Sequence, residues 1–155
     1  MNPGSMRRNP VIEIISYLLI FLFVYTATSK LLDYTSFKYL LTKSPLIGDA
    51  AAVAALALPI TEGLVALLLF IPRTRLWGLY ASLALVLVST VYLAYMIFFT
   101  PGLSWPCGGV LKQITLTQHL LFNIIFTLLS LTGIVLMRQE RRSKKEHELP
   151  PVVFT

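Results

Sequence analysis

Four long apolar runs dominate the chain: Val11 to Leu32, Leu46 to Ile71, Leu76 to Phe99 and Thr115 to Met137. Each reaches the roughly 20 residues that a helix needs to cross about 30 Å of hydrocarbon. None alternates with the period of two expected of membrane-barrel strands. In lipid the backbone polar groups must be satisfied within the segment, and a helix does this. The pattern predicts an all-α integral membrane four-helix bundle over residues 11–137, with a tail at 1–10 and a basic tail at 138–155. Run one is longer than the apolar core of a cleavable signal peptide, and no small-residue cleavage site follows it, so it reads as a span.

The breaks between runs are short. Asp33 to Pro45 carries Tyr34, Phe37, Tyr39 and Leu40 and reads as an interfacial segment. Pro72-Arg73-Thr74-Arg75 is a tight turn that makes runs two and three antiparallel neighbours. Thr100 to Ile114 holds Pro101-Gly102, Pro106 and Gly108-Gly109, too many turn residues for a helix. Run two is smooth at Ala50 to Ala52, Ala54, Ala55 and Ala57, which permits close helix packing, and Pro59 is expected to kink or loosen it.

Composition agrees: 56% of residues are hydrophobic and 13% charged, well below the roughly 25% charge of soluble domains. The net charge of +6 matters through its placement. With the N-terminus inside, nine cations (Arg7, Arg8, Arg73, Arg75, Arg138, Arg141, Arg142, Lys144 and Lys145) lie inside and four (Lys30, Lys38, Lys43 and Lys112) outside. The positive-inside rule then places both termini in the cytoplasm. The basic tail reads as a flank resting on anionic headgroups rather than a nucleic-acid patch, and no nucleic-acid partner is expected.

Candidate chemistry lies in the polar residues that lipid should not tolerate. Glu62 is deep in run two, and counting down antiparallel helices sets it level with Ser16, Tyr17 and Ser130. It reads either as a proton-handling or ligand-binding carboxylate, or as a neutral acid bonded to hydroxyls between helices. Lys30 and Asp49 are expected at one level, as an interfacial ion pair or as a charged gate, with Asp33 a turn from Lys30. Thr115, His119, Asn123, Thr127 and Ser130 fall on one face of run four, which must look into the bundle as packing contacts or as one wall of a polar cavity. The single cysteine, Cys107, precedes His119 by a short stretch, and an imidazole near a thiol can activate it as a nucleophile. Two such ligands do not make a zinc site, and no metal is expected.

Thr28-Ser29-Lys30-Leu31-Leu32 before an aromatic loop, Glu62-Gly63-Leu64 before Leu67-Leu68-Leu69, and Pro106-Cys107-Gly108-Gly109 followed by Gln118-His119-Leu120 and Phe122-Asn123 together resemble the methylamine utilisation protein MauE family, within the wider DoxX-like group of membrane proteins. The resemblance spans residues 10–137. It implies an accessory role in the bacterial inner membrane, supporting maturation of periplasmic redox proteins, with a thioredoxin-like protein or a dehydrogenase subunit as partner. On that reading Cys107 is the exchangeable thiol, His119 its modulator, and Lys30, Asp49, Glu62, Gln118, Asn123 and Thr127 the polar interior. Relatives often carry two cysteines in the loop, whereas Trp105 stands two before Cys107 here, so no internal dithiol relay is available. The competing readings are a non-covalent binding or transport module for a small solute or a quinone head group, and a membrane scaffold for a partner protein.

Overall fold

Apolar length translates directly into helices. The computed structural model describes residues 9–99 and 116–148. It contains α1 (Pro10–Leu32), α2 (Tyr34–Thr42), α3 (Ala51–Phe70), α4 (Arg75–Phe99) and α5 (Leu116–Glu148), with a 3-10 turn, Gly48–Ala50, ahead of α3. There is no strand among the described residues. The helices α1, α3 (with its leading turn), α4 and α5 are each long and apolar enough to cross a membrane. The chain is therefore a multi-pass membrane protein whose solvent over most of its surface is lipid. Phe21, Leu32, Val53, Phe70, Val91 and Phe98 point outward, as hydrocarbon allows and water would not.

Local chemistry sets the helix ends. Asn9 caps α1 by accepting a hydrogen bond from Val11 N at 3.3 Å, and Pro10 follows at the first helical position, where its missing N–H costs nothing. The α3–α4 turn is closed from the far side: Arg75 Nε donates to Leu69 O at 3.2 Å and Thr74 Oγ1 to Leu68 O at 3.0 Å, satisfying carbonyls that α3 leaves open at its C-terminus. Arg75, counted in the sequence only as a flanking cation, is thus a buried cap. Arg75→Met is expected to cost about 1–2 kcal/mol, read as a lowered thermal midpoint in detergent.

In the bundle α1 packs on α3 and α5, and α4 packs on α3 and α5. One core holds Ile15, Leu19 and Phe23 of α1, Val65, Ala66 and Leu69 of α3, Leu79 and Val86 of α4, and Ile134 of α5. Within it Ser82 Oγ and Ser130 Oγ lie 3.4 Å apart. The α3 and α4 backbones touch at Gly78, where an added Cβ would stand 2.8 Å from Leu69 N and 3.0 Å from Leu68 C.

Two expectations change, that of the segment before α3 and that of the end of α5. The interfacial segment is a helix, α2, whose Phe37 and Leu41 bury against Ala51 and Ala55 of α3. The small residues of α3 therefore receive α2 rather than only another spanning helix. Pro59 is buried inside α3, and the helix continues through it. Nor does the last helix stop near Met137. It runs on to Glu148, because a charged segment of good helix formers extends an existing helix without a new nucleation cost. A pair between Lys144 Nζ and Glu140 Oε1 at 3.8 Å adds to that end.

Candidate functional site

A cavity of about 200 Å³ lies in the half of the bundle nearer α2. Most of its wall is apolar, built by Leu22 and Phe23 of α1, Phe37 and Leu41 of α2, Leu58 of α3, Leu85, Val86 and Leu93 of α4, and Phe122 of α5. Lys30, Glu62, His119 and Asn123 add polar groups from three helices. The cavity is not sealed. Val88 and Ser89, about halfway along α4, line it and are exposed.

The main electrostatic feature is an ion pair between Lys30 Nζ, on the last turns of α1, and Glu62 Oε1, near the middle of α3. The Glu62 side chain is 8% exposed and that of Lys30 20%. Charges at such depth are tolerated only when paired, and each here supplies the other's counter-charge. The Lys30 ammonium also lies 5.7 Å from the ring centroid of Phe37, so α2 covers the pair with an aromatic face. Glu62 Oε2 is buried and has no hydrogen-bond partner among the described residues. Leaving a charged acceptor unmet costs more than leaving a neutral one, so this oxygen is the least satisfied polar atom of the pair.

The pairing corrects the expected levels. Ser16 is buried lower in α1 and donates to Ile12 O at 2.7 Å, Tyr17 is exposed, and Ser130 meets Ser82. None of them meets Glu62. Asp49 is exposed in the 3-10 turn, and the partner of Lys30 is Glu62 instead. The Lys30 side chain is long and points back along α1 toward its N-terminus, which brings its ammonium to Glu62.

On α5 the polar stripe faces inward, while Leu121, Ile124, Ile125 and Leu128 are exposed. Its members differ in use. His119 and Asn123 line the cavity, and Lys30 is near enough for its charge to act on the imidazole. Thr127 Oγ1 donates to Asn123 O at 2.9 Å within its own helix. Gln118 is exposed. Thr115 and Cys107 lie outside the described residues. Among the described residues no group of three His, Cys, Asp or Glu side chains is placed to hold a metal ion.

The spanning helix α4 also contributes polar groups to the cavity, which its apolar pattern did not single out. Ser89 and Tyr92 line the cavity, and the Tyr92 hydroxyl oxygen is buried. Their spacing of three residues in an otherwise apolar run sets both on one helix face, the signal that would have found them. Ser29 and Thr26 of α1 line the cavity as well, one and four residues before Lys30.

A family model described as methylamine utilisation protein MauE matches residues 8–136. No curated protein and no solved structure matches.

Proposed function

The chain belongs to the MauE family of methylamine utilisation proteins, and from that premise we propose that it is an accessory protein of the bacterial inner membrane whose working part is the cavity beside Lys30 and Glu62. The cavity binds a small amphipathic solute or a quinone-type head group, with its polar end at the ion pair and its body among the apolar side chains. The observation that carries this is the buried Glu62 carboxylate, held in the cavity wall with one oxygen unmet. Evolution does not need a charged pair merely to fill space between helices, since apolar side chains of similar volume serve at least as well.

If binding engages the carboxylate, affinity for a short-chain quinone analogue should fall about tenfold in Glu62→Gln. An unchanged affinity in the variant counts against a role for Glu62.

A second reading is favoured by the position of His119, on the cavity wall one turn into α5, with Cys107 a short distance before it in the chain. Here the protein supports maturation of a periplasmic redox protein. The Cys107 thiolate attacks one sulfur of a disulfide in a thioredoxin-like partner or dehydrogenase subunit. The other partner sulfur leaves as a thiolate, so a mixed disulfide forms with no net oxidation. Cys107→Ser should then abolish maturation of the partner while leaving cavity binding intact, and full maturation in that variant would end the thiol reading. Both termini lie in the cytoplasm on this account, so an impermeant maleimide should label Cys107 in intact cells.

A further inference from the structure

We propose that the occupant of the cavity is a neutral, ring-sized, lipophilic molecule bearing a hydroxyl group, of the phenol class, and that it reaches the cavity from the bilayer rather than from water. This rests on the reading of the cavity as a binding site.

Size comes first. An apolar cavity of roughly 150 Å³ holds a benzene ring, and about 200 Å³ leaves room for a ring with a small polar substituent. The walls suit a ring, since Phe23, Tyr92 and Phe122 all face the space.

Charge decides the head group. Lys30 and Glu62 already neutralise each other. A second cation beside Glu62 would be repelled by the Lys30 ammonium, which offsets much of the carboxylate's attraction. What remains is the cost of stripping water from the cation. An alkylammonium, the ion that the family name brings to mind, is therefore disfavoured. A second anion meets the same objection with the roles of the pair exchanged. A neutral hydroxyl has no such cost and supplies what the site lacks, a donor for Glu62 Oε2. The terminal torsion of a glutamate is broad, so the carboxylate can turn toward a donor in the cavity while keeping its contact with Lys30.

Exposure bears on the route. Val88 and Ser89 line the cavity, lie 13 and 14 residues into the 25-residue α4, and are exposed there. Side chains exposed at that depth meet hydrocarbon, through which a phenol partitions and an ammonium ion does not.

The test uses the full chain in lipid nanodiscs and three photoreactive probes built on one phenyl trifluoromethyl diazirine, bearing a hydroxyl, a hydrogen or an aminomethyl group. Labelled residues are mapped by mass spectrometry, and the saturable part of each probe's labelling is defined by competition with an excess of its own non-photoreactive analogue (phenol, benzene or benzylamine). The hydroxyl probe is expected to label cavity residues such as Leu58, Leu85 or Phe122 saturably, with half-saturation at a concentration about tenfold or more below that of either other probe. The preference over the hydrogen probe should vanish in the Lys30→Met/Glu62→Leu double variant, which removes both charges together and leaves no unpaired ion. Equal labelling by the hydroxyl and hydrogen probes, or stronger labelling by the aminomethyl probe, overturns the inference but leaves the cavity a binding site. Absence of saturable labelling of cavity residues by every probe overturns the binding reading itself.

Discussion

Replacing Lys30 by Met is expected to destabilise the bundle by about 3–5 kcal/mol, because it strands the Glu62 carboxylate in the interior without a counter-charge. For a protein of this size that is on the order of 10 °C in the thermal midpoint. The converse change should be milder. Glu62→Gln leaves an ammonium whose side chain is 20% exposed, and a lysine near a helix end can extend toward the headgroups. Its expected cost is about 1–2 kcal/mol. The double variant Lys30→Met/Glu62→Leu should return to within about 1 kcal/mol of the native protein, since well-packed apolar residues replace a buried pair at little loss. Thermal unfolding of the four proteins in one detergent completes the cycle. Additive effects of the two single changes would mean that the pair does not interact.

The second large effect is expected at Gly78. An added methyl would stand 2.8 Å from Leu69 N and 3.0 Å from Leu68 C, and these are backbone atoms that no rotamer change can move. The α3 and α4 axes must separate, loosening the core at Leu69 and Leu79, which are fully buried on either side of the contact. Gly78→Ala should cost about 1–3 kcal/mol as overpacking, and Gly78→Leu should prevent recovery of folded protein. Gly63 supplies the control, because nothing lies within 4 Å of its added Cβ and it is exposed on α3. Gly63→Ala should be neutral or slightly stabilising, by less than about 1 kcal/mol, through helix propensity alone. Equal thermal midpoints for the Gly78 and Gly63 variants would contradict the close helix contact.

The spanning helices were legible because lipid imposes a length and a uniform apolarity that survive in the sequence. The start of α1 was expected at Val11 and is found at Pro10. What hydropathy could not convey was relative height. The segment that became α2 has aromatic residues suited to an interface, but nothing in its pattern says that Phe37 and Leu41 will pack on Ala51 and Ala55. Nor does hydropathy say that the long Lys30 side chain will reach the Glu62 carboxylate. The polar residues of the site were thus recognised singly, but their pairing was not. The stripe on α5 was readable because four residues make a helical turn, so Asn123 follows His119 into the cavity. The continuation of α5 to Glu148 was missed because a hydropathy run ends where charges begin, whereas a helix does not.

In the membrane interior Glu62 pairs with Lys30 at the wall of the cavity. The infrared difference spectrum between native protein and Glu62→Gln, in lipid bilayers at neutral pH, reads this pairing. Carboxylate stretching bands are expected to be lost, and to shift when Lys30 is replaced by Met. Loss of the carbonyl band of a protonated acid instead, with no carboxylate band, would rule the ion pair out.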